Sequence, residues 1–397
     1  MAVLKPFSAL RFDFEKAGPP ETLCCPPYDV ISDPGAWLSQ NPYNVIRLEG
    51  GGRLGGADPY AAAGLALKDW LARGILKEDE VPAFYLYECT FPSCQTGGER
   101  VLTGLAGHIE LRPFSDGVVL PHENTLSAAK ADRRGLMAAT GCHISPIYCL
   151  YDDPGRHVAE LLKNAKNSAP ECDFRMEDGI RHALWVLRNG ALIEAITKAF
   201  ADKTIFIADG HHRYETSLRM HEENPGAVSP YVMTVLCDMS DPGLEVHATH
   251  RIVSGVAGYD EEDLYRRLEK DFVPAPGDAP SEGVPAWVTK KAIYKLLPRR
   301  EGSYPLDVTL LHEGILEPLL GIDPRCMAAG ECLSYTRDAA EAVARVRSGQ
   351  AQCAFLMAPP TVAQIRGTML RGEKMPQKST YFYPKIITGL FMNRFGK

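Results

Sequence analysis

From residue 58 onward, apolar positions alternate between strand-like runs and helix-like stripes. DPYAAAGLALKDWLAR (58–73) has helical spacing and is followed by Gly74, a suitable left-handed stop. AFYLYECTF (83–91) and ERVLTGLAGHIEL (99–111) predict paired strands joined by the turn-rich SCQTGG. A helix is predicted over 124–140, ended by Gly141. Then follow strand SPIYCLY (145–151), a helix in GRHVAELLKNAK, strand HALWVL (182–187), helix ALIEAITKAF (191–200) and strand KTIFIAD (203–209). A helix running to Glu223 and strand YVMTVLCDM (231–239) come next. Further on, LSYTRDAAEAVARVRSG, QCAFLMA and TVAQIRGTML predict strand, helix, strand, helix.

Two regions lack this rhythm. Residues 1–57 are rich in Pro and Gly, and PPYDVIS (26–32) and NPYNVIRLEGG (41–51) read as turn-then-strand segments. VPAPGDAPSEGVPA (273–286) reads as a linker or mobile loop. Too many strands are adjacent for a simple doubly wound sheet, so the expected class is α+β. The expected division is an N-terminal α+β region, 1–255, and a C-terminal α/β region, 256–397. In the latter, segment 373–385 is a candidate to return to the site.

The densest chemistry lies in IADGHHRYET (207–216), where a buried strand runs into a helix. Asp209 stands where an N-cap belongs, and Gly210 permits a tight turn and close approach of a ligand. His211, His212 and Arg213 fill the first helical turn, where backbone N–H groups and the helix dipole favour phosphate. Cations at that end are unfavourable unless an anion joins them. The motif is therefore read as a phosphate or nucleotide site: Gly210, His211 and Arg213 bind, His212 shuttles a proton, and Asp209 is a catalytic group and candidate magnesium ligand. His211 and Glu215 share a helix face, a weaker pattern for zinc.

Other polar clusters supply further candidates. In LPHENTLSAAKADRR (120–134), His122 and Glu123 are candidate acid–base groups, and Lys130 and Arg133 are spaced to reach one ligand. The alternative for this segment is a helix capped by Asn124 with an exposed charged face. EVHATHRIV offers His250 and Arg251, and PPYDV presents Tyr28 and Asp29, as substrate contacts. EKMPQKSTYFYPK (373–385) interleaves Lys374 and Lys378, candidate phosphate ligands, and Ser379 and Thr380, candidate substrate contacts, with Tyr381 and Tyr383. An edge strand with snorkelling lysines has the same composition. P-loop, kinase, nucleophile-elbow and dinucleotide signatures are absent from the sequence.

Composition narrows the classes. The net charge of −7 argues against nucleic acid, and RRLEK (266–270) and KKAIYKLLPRR (290–300) are read as solvated faces. Eleven cysteines without a C-x-x-C pair fit free, mostly buried thiols in a reducing cytosol. The N-terminus has no apolar core of a signal peptide, and no run is long enough to span a membrane. A cytoplasmic location follows as the expectation.

PPYDVIS, NPYNVIRL, LPHENTL, AKADR, SPIYCLYDD, HALWVL, IADGHHRYET, DMSDPGL, THRIV and GEKMPQKSTYFYPK, in this order, resemble the bacterial and archaeal family called domain of unknown function 1015. Family members more usually have Lys where Asn124 stands and Gly-Pro at Ala128–Ala129. The turn Asp209-Gly210-His211-His212-Arg213 is also similar to that of the ParB/sulfiredoxin superfamily and its free-serine kinases. The resemblance implies a mixed-sheet core of that type and a turn holding nucleotide phosphates, with ATP or ADP and Mg2+ as cofactors. It implies a phosphotransferase acting on a small metabolite, with serine or phosphoserine as candidates. A ParB-like nucleotide-dependent switch that binds nucleic acid or a partner, and a metal-dependent phosphatase or hydrolase, are the alternative expectations.

Overall fold

The structure is a computed structural model and describes residues 1–277, 280–299, 306–323, 326–327, 332–376 and 378–395. Two compact units emerge. The first comprises residues 1–121, 125–245 and those from Pro384 on; the second comprises 122–124 and 246–383.

A mixed nine-stranded sheet organises the first unit. Its strands are β1 (Leu4–Lys5), β2 (Phe84–Pro92), β3 (Glu99–Glu110), β4 (Val119–Pro121), β5 (Ile147–Tyr151), β6 (Cys172–Arg175), β7 (Arg181–Leu187), β8 (Ile205–Asp209) and β9 (Tyr231–Asp238). They lie in the order β4-β8-β5-β9-β3-β2-β7-β6, with β1 paired to the end of β3. The β4–β8 and β5–β9 pairs are parallel and the others antiparallel. The predicted hairpin is present, with Tyr85 opposite Ala106.

The main helices of this unit are α1 (Pro59–Ala72), α2 (Ser127–Thr140), α3 (His157–Ala165), α4 (Gly190–Phe200) and α5 (His211–Glu223). Their ends follow local chemistry. Asp58 accepts the Ala61 N–H at 2.9 Å at the start of α1, and Asn189 accepts the Leu192 N–H at 3.0 Å at the start of α4. Val158, Leu162, Ile196, Phe200 and Tyr214 project from the helices into a core with Leu105, Ile147, Ile205, Ile207 and Leu236 of the sheet. Burial of these apolar side chains is the main driving force for docking the helices.

NPYNVIRLEGG is not a strand. Asn41 and Asn44 accept the N–H groups of Tyr43 and Ile46, and this local bonding starts a short helix, Ile46–Glu49. PPYDVIS is likewise a turn with no strand after it. Helix α2 begins at Ser127, with Leu126 rather than Asn124 at its N-cap position.

The second unit contains a six-stranded sheet of β10 (His250–Val253), β11 (Phe272–Pro276), β12 (Ala286–Val288), β13 (Ile293–Pro298), β14 (Leu333–Thr336) and β15 (Cys353–Leu356). The order is β11-β13-β12-β15-β10-β14, antiparallel throughout. Hence this region is α+β, not the expected α/β. Helix α6 (Ala339–Arg347) buries Ala342 and Val346 against Ile252, Ala354 and Leu356, and a Thr361–Gln364 capping box starts helix α7 (Val362–Leu370). The 273–286 segment is only partly loop. Its first residues form edge strand β11, where two prolines are tolerated, while Asp278 and Ala279 lie outside the described residues. The basic 290–300 run is largely strand β13, and Arg300 lies outside the described residues. Seven of the eleven cysteines are buried. Among the described residues, no helix is long and apolar enough to cross a membrane.

Candidate functional site

Strand β8 delivers Asp209 at its end, and Gly210 turns the chain at φ +91° into α5. A Cβ at Gly210 would lie 2.9 Å from Ile147 Cγ2 and 3.0 Å from Arg213 Nη2, so the turn needs glycine for both conformation and space. Asp209 does not cap the helix; its carboxylate faces two cations. Arg213 Nη2 donates to Oδ2 and Lys385 Nζ donates to Oδ1, each at 3.0 Å. Burial alone would raise the Asp209 pKa, but Lys385 and Arg213 outweigh it and hold the carboxyl well below its ordinary range. No side-chain hydrogen bond caps α5.

The conflict between Arg213 and the helix dipole is thus resolved inside the protein. Arg213 Nη1 also donates to Ser145 Oγ at 2.9 Å and to the Pro146 carbonyl. Ser145 Oγ donates to Glu49 Oε1 at 2.6 Å, and Glu49 Oε1 lies 3.2 Å from Arg133 Nη1. Arg133 is paired in turn with Asp132, whose Oδ1 accepts from Tyr60 Oη at 2.8 Å and the Gly52 N–H at 2.9 Å. A continuous network of alternating charge therefore runs from Asp132 through Arg133, Glu49, Ser145, Arg213 and Asp209 to Lys385. Arg133 and Arg213, the candidate phosphate ligands, are buried within this network. Arg133 also lies 3.7 Å from the centre of the Tyr28 ring, and burial pushes the Tyr28 phenol up to about 12 against the pull of Arg133 and Arg213. Asp29 is exposed.

The outer face of the turn is tied to the segment before α2. Glu215 Oε2 accepts from Thr125 Oγ1 at 2.7 Å and Lys130 Nζ at 3.0 Å. His212 Nε2 accepts the Leu126 N–H at 2.9 Å, so this nitrogen carries no proton and the other carries it when the ring is neutral. His211 is buried. Lys385, Ser145 and Glu49 are the partners missed from spacing. Lys385 closes the quoted 373–385 block, whereas Glu49 and Ser145 carry no local signal.

The fit to magnesium is poor at Asp209. Each of its oxygens already accepts from a cation. Among the described residues, no group of three His, Cys, Asp or Glu at ligand spacing includes Asp209. A magnesium ion there would have to displace Lys385 or Arg213, so no metal is assigned to it.

The remaining candidates belong to the second unit. His122 Nε2 lies 2.7 Å from Thr380 Oγ1 and 3.8 Å from Glu123 Oε1, and the His122 carbonyl accepts the Met375 N–H at 2.7 Å. His250 Nδ1 accepts the Met357 N–H at 3.1 Å, and burial pulls the His250 pKa down to about 4. Arg251 is buried, with Ser379 in the same cleft. Lys374 and Lys378 are exposed, and the Lys378 backbone is left-handed at φ +58°.

A family model described as a protein of unknown function, DUF1015, matches residues 4–319, and the chain belongs to that family. No curated protein matches the chain. Among solved structures, a free serine kinase in complex with AMP is similar at TM-score 0.40 and 16% identity, covering 73% of this chain and 90% of that one. A conserved hypothetical protein from Pyrococcus furiosus is similar at TM-score 0.36 and 17% identity, covering 71% and 94%. SbnI from Staphylococcus aureus, truncated at its C-terminus, is similar at TM-score 0.38 and 12% identity, covering 71% and 85%.

Proposed function

We propose that this DUF1015 chain is a nucleotide-dependent phosphotransferase acting on a small hydroxylated metabolite, with serine or phosphoserine as the first substrates to test. In this reading the turn 209–213 and Lys385 receive the phosphates of ATP or ADP. The mixed sheet is read as a core of ParB/sulfiredoxin type. The carrying observation is the Asp209–Lys385 pair at the head of α5, a helix with no side-chain cap.

Chemistry assigns the parts. Gly210 lets the backbone approach a phosphate, and the first turn of α5 offers the positive end of its dipole. Lys385 brings the positive charge. Asp209 positions that ammonium, and Arg213 braces Asp209 from inside. Phosphoryl transfer is served mainly by such positioning and charge neutralisation. The nucleotide part of the reading rests on the resemblance of the turn, and the serine part on that resemblance alone. Magnesium enters only as a companion of the nucleotide phosphates, and no step depends on it.

Thermal shift with ATP, ADP, CTP and phosphoserine, each with and without Mg2+, tests the reading. A ligand present at 100 times its dissociation constant adds about 2.7 kcal/mol of stability. Stabilisation by a nucleotide that is lost in Lys385→Met supports the proposal. Stabilisation by phosphoserine alone, with phosphate release, selects the phosphatase alternative instead.

A further inference from the structure

In the second unit, a narrow cleft is lined by Arg251, Glu282, Asp307, Gln364, Ser379 and the segment Met357–Pro360. Arg251 is only 1% exposed, yet among the described residues no carboxylate lies within ion-pair distance of it. Its Nη1 donates to the Thr249 carbonyl and its Nη2 to the Lys378 carbonyl at 3.2 Å, while Nε has no partner. Carbonyl dipoles do not neutralise a buried guanidinium. Burial correspondingly lowers the Arg251 pKa to about 10, against weak opposition from the Tyr335 ring and the field of Glu123. His312 feels the same cation. It is buried on a π-helical turn, both ring nitrogens lack partners, and burial with Arg251 pulls it down to about 3, so it stays neutral and offers no countercharge.

The same cleft carries two carboxylates that do not pair with Arg251. Glu282 is exposed and accepts from Gln364 Nε2 at 2.7 Å. Asp307 accepts the Gly283 N–H at 2.8 Å. A buried cation and separate carboxylates lining one narrow cleft form a charge pattern in search of a complementary dipole. A phosphate dianion would gain from Arg251 but meet two negative charges. A simple amine would leave Arg251 uncompensated. A zwitterion satisfies both ends.

We propose that this cleft binds a small α-amino acid, its carboxylate accepting from Arg251 Nε and its ammonium donating to Glu282 and Asp307. The inference stands on the second unit alone and does not depend on the reading of the 209–213 turn.

The test uses the full chain. The standard L-amino acids are screened one at a time by thermal shift, and any hit is measured by calorimetry beside its decarboxylated amine and its deaminated acid. The expected result is saturable binding of a small amino acid, with each half-analogue weaker by about tenfold or more, as for loss of one charge-assisted contact. Glu282→Gln, at an exposed position, is expected to weaken binding by a similar factor with an unchanged melting temperature of the ligand-free protein. Arg251→Lys is expected to abolish binding; because it perturbs a buried site, Glu282→Gln serves as the fold-neutral variant. Absence of any amino-acid hit overturns the proposal. So does equal binding of the deaminated acid or of inorganic phosphate, which would make the cleft a plain anion site, and so does unchanged affinity in Glu282→Gln.

Discussion

The Asp209 carboxylate bridges two cations from distant parts of the chain, with Arg213 Nη2 and Lys385 Nζ each 3.0 Å from its oxygens. The side chains are 20%, 8% and 13% exposed, so water compensates little if the carboxylate is lost. Asp209→Asn keeps the shape and removes the charge. It is expected to destabilise the protein by roughly 3 kcal/mol, the lower end for an interrupted buried ion pair. Urea melts should show a lower midpoint at unchanged slope.

The same carboxylate predicts a pH dependence. Its folded pKa is depressed, so its contribution is full above the ordinary aspartate value near 3.8 and is lost as pH falls through the folded pKa. Stability curves of wild type and Asp209→Asn should run parallel from pH 5 to 8 and converge only in strong acid. A difference that fades between pH 7 and 5 would assign the effect to another group.

Buried histidines govern that milder range. Burial pulls His108 and His182 down to about 3 and His143 to about 4. All three are neutral in the folded protein and protonate on unfolding below about pH 6.5. Their contribution is therefore full above that pH and falls with acidification, by about 1.4 kcal/mol per pH unit for each histidine. Replacing His182, whose Nδ1 lies 2.7 Å from Tyr87 Oη, by Gln should flatten the slope between pH 6 and 4 by one such increment.

Gly210→Ala tests the turn itself. The left-handed backbone and the contacts to Ile147 and Arg213 predict a loss of roughly 1–3 kcal/mol. Ser145→Ala, which removes the hydroxyl between Arg213 and Glu49, is expected to cost about 1–3 kcal/mol. A double mutant with Asp209→Asn should be non-additive, because both changes act on Arg213.

The sequence made periodic elements legible. The hairpin ending at Glu110, helix α1 with its Asp58 cap, and α5 from the Asp-Gly turn to Glu223 all follow from local spacing and capping. Asn41 and Asn44 misled because their side chains bond the next N–H groups and make helix where apolar content suggests strand. The site was legible only in part. Residue types at 209–213 marked a charged turn, but its charge balance depends on Lys385, 176 positions away, and on Glu49 through Ser145. Such pairings are set by strand order, which local spacing does not encode. Arg133 and Arg213 consequently read as ligands although their partners are internal.

The most direct test of the central claim is calorimetric titration of ADP into wild type and Lys385→Met, with Mg2+ present in both. The account predicts saturable binding to wild type and at least about tenfold weaker binding to the variant, as for loss of one charge-assisted phosphate contact. No binding to wild type, or equal affinity in the two proteins, would contradict the assignment of the 209–213 turn and Lys385 as the phosphate site.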